Sequence, residues 1–253
     1  MVLRDKVAIV TGASREIGAA MAEALAGAGA AVLIAHHNEA ELAAQAVERI
    51  TAAGGRALAL DADLSDVAAN QAMIARAVEA FGRLDILAAN AGITMYRPFL
   101  DTDESTWNAL FNLNLKGSFF AAQAAARQMI AQGDGGRIVF SSSVTGVQAV
   151  PGLSVYGITK AALRHMARTL APELGGHGIT VNALGIGATL NARNLADDPD
   201  YAAHWAGVIP TGRALQPADL ASTLLFLASP GAAMITGQTI IVDGGWTALS
   251  PMP

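Results

Sequence analysis

Apolar runs of strand length recur along this chain at residues 7–10, 31–35, 57–60, 86–89, 138–140, 180–184 and 239–242. Between them the apolar positions follow a helical spacing, over 17–28, 39–53, 67–81, 106–131, 155–174 and 217–227. Strand and helix alternate from one end to the other, and the strand runs are apolar at nearly every position instead of every second one. That combination predicts the α/β class, a mostly parallel sheet covered by helices on both faces. Asp66 is placed to cap the third helix, and Gly29, Gly54 and Gly82 stand just past the ends of the first three. Pro172, inside the 155–174 pattern, predicts a kink or a stop near the C-terminal end of that helix. Segment 188–213 fits neither period and carries Asn191, Arg193, Asn194, Tyr201, His204 and Trp205, a polar and aromatic mixture that predicts a functional lid.

Composition narrows the picture. The chain has 253 residues, 53% hydrophobic and 15% charged, which is enough to bury one large core. No linker, repeat or low-complexity tract divides it, so residues 1–253 read as a single domain. A net charge of −5 without a basic run argues against a nucleic-acid or anionic-membrane surface. The absence of cysteine excludes disulfides, thiolate catalysis and Cys-based zinc sites. His36 and His37 are adjacent and the other three histidines are scattered, so no metal site is expected. The uncharged stretch 220–242 is long enough to span a bilayer, but Ser229, Pro230, Gly231, Gly237 and Gln238 divide it into a helix, a turn and a strand. Arg4, Asp5 and Lys6 lead directly into the first strand, which predicts a cytoplasmic protein without a signal peptide.

Two groups of residues carry chemistry. The first strand runs into Thr11-Gly12-Ala13-Ser14-Arg15-Glu16-Ile17-Gly18 and then a helix, the arrangement in which backbone N–H groups and a helix N-terminus face a pyrophosphate. Asp63-Leu64 follow the third strand and Asn90-Ala91-Gly92 the fourth, at the strand ends where open α/β sheets bind ligands. The second group is Tyr156 and Lys160, one helical turn apart, with Ser143 upstream. A free phenol, with a pKa of about 10, is a poor base near neutral pH unless a cation favours its phenolate. Lys160 is placed to be that cation.

These pieces, together with Asn114 in L-N-L-K-G, S-S-S-V at 141–144 and V-D-G-G at 242–245, stand in the order and spacing of the short-chain dehydrogenase/reductase family. The chain resembles that family over essentially its whole length. The resemblance implies a Rossmann-type doubly wound fold with a seven-stranded, mostly parallel sheet, usually assembled as a homotetramer through the helices at 106–131 and 155–174 and the apolar region 240–246. It implies an oxidoreductase that moves hydride between NADP(H) or NAD(H) and a secondary alcohol or carbonyl. In that reading Tyr156 carries the proton, Ser143 holds the substrate oxygen, Lys160 bonds the nicotinamide ribose, and Asn114 keeps a water in line with Lys160. Gly12, Ser14, Arg15, Ile17 and Gly18 would meet the phosphates, and Asp63 and Leu64 the adenine. Asn90 and Gly92 would support the cofactor, while Ile186, Gly187, Thr189 and Asn191 would flank the nicotinamide.

The family pattern is broken at three positions. Glu16 stands where a glycine is usual, Ile186 replaces the proline of a Pro-Gly pair, and Asn191 replaces a threonine. Glu16 is expected to turn outward, because an inward carboxylate would oppose the phosphate. At the end of the second strand, where an acidic residue would select NAD, the chain offers His36 and His37; with Arg15 as a phosphate partner, NADP is the expected cofactor and NAD a possible one. Ser143, Gln148, Arg193, Asn194 and His204 are candidate contacts to substrate hydroxyls, which leans toward a sugar or polyol dehydrogenase. A 3-oxoacyl thioester reductase is the alternative, although no Lys/Arg cluster suggests a carrier-protein surface. A catalytically silent cofactor-sensing protein is the alternative of another class, and the intact Asn114, Ser143, Tyr156 and Lys160 argue against it. The expected partner is a small-molecule substrate.

Overall fold

The computed structural model describes residues 1–249. Seven strands, β1 Val7–Thr11, β2 Ala31–His36, β3 Arg56–Asp61, β4 Ile86–Ala89, β5 Gly136–Ser143, β6 Ile179–Ile186 and β7 Thr239–Val242, form one parallel sheet in the order β3-β2-β1-β4-β5-β6-β7. The chain winds outward from β1 in one direction and from β4 in the other. The strand order therefore reverses between β1 and β4, which opens a crevice at their carboxyl ends.

The helices are α1 Glu16–Gly27, α2 Ala40–Ala52, α3 Val67–Phe81, α4 Glu104–Leu110, α5 Ser118–Gln132, α6 Ser154–Leu174, α7 Ala192–Asp197, α8 Tyr201–Ala206 and α9 Pro217–Ala228. Because successive strand residues point to opposite faces, each inner strand feeds two cores. Ala8, Val10, Val32 and Ile34 pack against α1, α2 and α9, whereas Ile9, Leu33 and Ala35 pack with α3, α5 and α6. Alanines such as Ala19, Ala22, Ala125 and Ala167 at the helix contacts let the helices lie close to the sheet. Asp66 accepts from the Ala68 N–H as the cap of α3, and Gly82 ends that helix in the left-handed region at φ 85°.

Three details depart from the sequence pattern. β5 and β6 run three and two residues past their predicted ends, since Ser141–Ser143 pair in register with Leu184–Ile186 despite their polar side chains. The single helix expected over 106–131 is divided into α4 and α5 by a π-helical segment, Phe111–Gly117, which contains Asn114. The 188–213 segment holds two short helices, α7 and α8, and its base is pinned where Leu190 N–H bonds the Leu215 carbonyl at 2.8 Å. Pro172 lies in the last turn of α6, which ends two residues later at Leu174, in agreement with the expected stop. No helix among the described residues is long and apolar enough to cross a membrane, and the 220–242 stretch forms α9, a turn and β7.

The opposite end of the sheet is held by charge. Asp85 is 5% exposed and accepts from Lys6 Nζ at 2.9 Å, Val7 N–H at 2.9 Å, and Arg83 Nη2 and Nε at 2.7 and 2.8 Å. Burial alone would raise its pKa, but the bonds from Arg83, Lys6 and Val7 outweigh it and hold the carboxyl below the usual range. A folded pKa depressed in this way contributes stability that is complete above the unfolded value of about 4 and is lost as pH falls through the folded one. Asp85→Asn is accordingly expected to cost about 2 kcal/mol at neutral pH, with the difference shrinking toward zero in acid. Denaturant melts of both proteins between neutral and acidic pH check this, and a deficit that persists undiminished in acid would contradict it.

Candidate active site

The crevice at the β1/β4 reversal is a cavity of about 820 Å³. On one side lies the turn from β1 into α1. Asn90, at the end of β4, gives its Nδ2 to the carbonyls of Thr11 and Gly12 at 3.1 and 3.2 Å and accepts from Ser141 Oγ at 3.0 Å. One amide thus locks the turn to both β4 and β5. Gly18 is required there, because a Cβ at that position would lie 2.1 Å from the Gly12 carbonyl oxygen. The residues that open α1, Glu16 to Gly18, line the cavity between these fixed points, and a helix start of this kind is suited to a pyrophosphate.

Farther along, Asp63 after β3 accepts from Ser65 N–H at 2.9 Å, and Ser65's side-chain and backbone bonds hold its carboxyl below the usual range. His36 is buried at the end of β2, whereas His37 is exposed and its Nδ1 lies 3.4 Å from Asp61. Beside them stands Glu39, a residue the sequence pattern presents only as the start of a helix. Its carboxylate accepts from Ser14 Oγ and pairs with Arg15 Nη2 at 3.1 Å. Arg15, expected as a free phosphate partner, is therefore already paired.

At the far side of the cavity, Ser143 closes β5, with its Oγ accepting from Thr145 N–H at 3.2 Å. Ser142 Oγ donates to the Lys160 carbonyl at 2.7 Å and ties β5 to α6, so Ser143 and Tyr156 are held to the same wall. Lys160 is 5% exposed, donates to the Ser141 carbonyl at 2.8 Å, and sets its Nζ 5.5 Å from the centre of the Tyr156 ring. Asn114 is fully buried. Its Oδ1 accepts from Ile93 N–H at 2.8 Å and its Nδ2 donates to the Ile93 carbonyl at 2.9 Å and to Thr159 Oγ1 at 3.4 Å. A Cβ on Gly92 would lie 3.0 Å from Asn114 Oδ1 and 3.4 Å from Lys160 Nζ, so that glycine keeps open the gap between the two groups. The π-helical turn aims Asn114 into this gap, a use to which such turns are often put.

Every residue expected at the cofactor lines this one cavity: Gly12, Ser14, Arg15, Ile17 and Gly18 in the turn, His36 and His37, Asp63 and Leu64, Asn90 and Gly92, Tyr156 and Lys160, and Ile186, Gly187, Thr189 and Asn191. Ser143, Arg193 and Asn194 line it too. Gln148 and His204 do not. Gln148 sits on the loop after β5 with its N–H on the Val144 carbonyl, and His204 faces Asp198, its Nδ1 2.8 Å from the carboxylate. That carboxylate raises the His204 pKa and commits the ring to the surface. Trp205 and Trp246, in edge contact with centroids 4.5 Å apart, enter the lining instead, together with Tyr201.

The chain matches, over residues 12–247, a family model described as enoyl-(acyl carrier protein) reductase. It is 39% identical over 248 residues to a 2-dehydro-3-deoxy-D-gluconate 5-dehydrogenase of Dickeya dadantii, covering 97% of each chain. It is 40% identical to an L-rhamnose 1-dehydrogenase (NAD(P)(+)) of Azotobacter vinelandii, covering 97% of this chain and 98% of the relative. Among solved structures it is similar to a short-chain dehydrogenase from Burkholderia cenocepacia in complex with NADP, at 38% identity and a TM-score of 0.92, over 98% of this chain and 100% of the other.

Proposed function

This chain belongs to the short-chain dehydrogenase/reductase family, oxidoreductases of CH–OH groups, and on that premise we propose that it is an NADP-preferring sugar or polyol dehydrogenase. The observation that carries the reading is the convergence of Ser143, Tyr156 and Lys160 with the Gly12–Gly18 turn on a single cavity. The glycine turn and the strand ends fit a dinucleotide, and the bound nicotinamide supplies or accepts the hydride. Tyr156 takes the proton from the substrate hydroxyl during oxidation and returns it during reduction. Ser143 Oγ donates to the same oxygen and holds it at the phenol. The ammonium of Lys160 stabilises the negative charge on Tyr156 as the proton leaves. Asn114, through Thr159 and the Ile93 backbone, fixes the helix that carries both groups.

Two features support a polyhydroxylated substrate. Arg193 and Asn194 bring hydrogen-bonding groups to the cavity, and Tyr201, Trp205 and Trp246 bring aromatic faces of the kind that pack against sugar C–H surfaces. The sugar dehydrogenases among the relatives point the same way. The family model's description names an acyl carrier protein, so thioesters belong in the test. Purified protein is to be assayed with NADP and NAD against sugars, sugar acids, polyols, simple secondary alcohols and 3-oxoacyl thioesters. Turnover of hydroxylated substrates is the expected result, and turnover of thioesters alone would overturn the sugar reading.

The cofactor preference rests on His36, His37 and Arg15, with Glu39 as the counterweight. Its carboxylate occupies Ser14 and Arg15, the donors a 2′-phosphate would use, and repels that phosphate. Glu39→Gln is expected to shift the kcat/KM ratio about tenfold toward NADP, equal to about 1.4 kcal/mol. An unchanged ratio would mean that Glu39 takes no part in selection. A homotetramer is part of the proposal, supported by Phe99, Leu100, Trp107 and Phe119 left exposed around α4 and α5 and by Phe226 and Met234 at and beyond α9.

A further inference from the structure

Glu16 is the feature that the proposed activity does not absorb. It is the first residue of α1, and its φ of 53° places it in the left-handed region, where a residue with a Cβ is strained and a glycine is at ease. Strain of this kind persists only where surrounding contacts impose it, and it clusters at functional sites. Glu16 Oε1 accepts from the Ala192 N–H at 2.7 Å, across 176 positions of sequence. Ala192 opens α7, where Asn191 caps by accepting from the Asn194 N–H at 2.8 Å, and Glu16 takes the next free donor of that helix start. Among the described residues no other hydrogen bond joins the turn at 12–18 to the segment at 188–213. The carboxylate therefore reaches across to α7 at a solvent-exposed position. It links two elements that line the same cavity.

From this geometry we infer that Glu16 is a positioning residue that couples closure of the 188–213 segment to occupation of the cofactor site. While engaged with Ala192, its charge is spent on a backbone donor and a helix N-terminus, and it holds α7 over the cavity next to Arg193 and Asn194. When the segment lifts, the carboxylate is freed beside the pyrophosphate cradle, where it repels the phosphates and favours release. A glycine at this position would supply neither effect. The inference rests on the proposed cofactor site for its second half only; the tie itself is a property of the protein without cofactor.

The test uses Glu16→Gly, which the backbone accepts without strain, and Glu16→Gln, which keeps an acceptor oxygen without the charge. Hydrogen exchange is followed on the cofactor-free protein across residues 188–213. Glu16→Gly is expected to exchange about tenfold faster there, at Ala192 above all, while the sheet stays as protected as in the parent and Glu16→Gln stays close to the parent. In turnover, Glu16→Gly is expected to raise the substrate KM far more than it lowers kcat, with Glu16→Gln restoring much of the loss. Unchanged exchange in 188–213 for Glu16→Gly overturns the tie, and so does acceleration spread evenly over the whole chain, which would mark a general loss of stability. Because exchange needs no turnover, its outcome stands apart from the fate of the proposed activity.

Discussion

Tyr156→Phe is expected to leave the fold and cofactor binding in place while lowering kcat by about 10²- to 10⁴-fold, the usual range for loss of a general acid/base. The substitution removes one oxygen from a half-buried ring in the first turn of α6 and leaves the helix contacts alone. No other phenol replaces it at Ser143; burial raises the pKa of Tyr201, which also lines the cavity, and so suits it poorly to give up a proton. Cofactor affinity measured by fluorescence and turnover measured on the same preparation separate the two roles. Near-parental kcat would remove the tyrosine from the chemistry, and lost cofactor binding would make it a structural residue.

Lys160→Ala is expected to act on two parameters at once, lowering kcat about 10²-fold and raising the cofactor KM about tenfold. The amine is buried, 5.5 Å from the centre of the Tyr156 ring and 2.8 Å from the Ser141 carbonyl, so it places a cation beside the phenol and lines the same cavity as the cofactor turn. Its loss also strips the Ser141 carbonyl of a partner, for which a stability loss of about 1 kcal/mol is expected. A fall in kcat with an unchanged cofactor KM would confine Lys160 to charge stabilisation and remove the ribose contact.

The buried parallel sheet was legible because its strands are apolar at almost every position, a pattern that few other arrangements share. What pairing alone decides was not legible. Ser141–Ser143 look like a loop by polarity, yet their backbones complete the ladder with β6 and so carry Ser143 to the cavity rim. The π-helical turn at Phe111–Gly117 is also silent, because one extra residue per turn hardly disturbs an apolar spacing.

In the site, glycines, strand ends and the Tyr156–Lys160 spacing mark positions fixed by backbone geometry, and all of them converge. Less legible are side chains that owe their place to a partner. Polarity alone marks His204 as a candidate substrate contact, whereas Asp198 holds it at the surface, and Gln148 belongs to the loop after β5. Glu39 begins a helical spacing by sequence and is also the residue that engages Ser14 and Arg15. The signal for it is its position three residues past the end of β2, the region where an acidic residue bears on cofactor choice. Glu16 was expected to face solvent, where the dipole of its own helix would favour it; the helix it serves is α7, far away in sequence and adjacent only after folding.

Hydride transfer between a substrate carbon and the nicotinamide is tested most directly with a label. A sugar or polyol turned over in the substrate panel is prepared with deuterium on the carbon to be oxidised and incubated with NADP and the wild-type protein. One deuterium is expected at C4 of the reduced nicotinamide for each carbonyl formed, with Tyr156→Phe producing the same labelled cofactor about 10²- to 10⁴-fold more slowly. Carbonyl formation with the deuterium lost to water, or with no label on the cofactor, would contradict hydride transfer at this site.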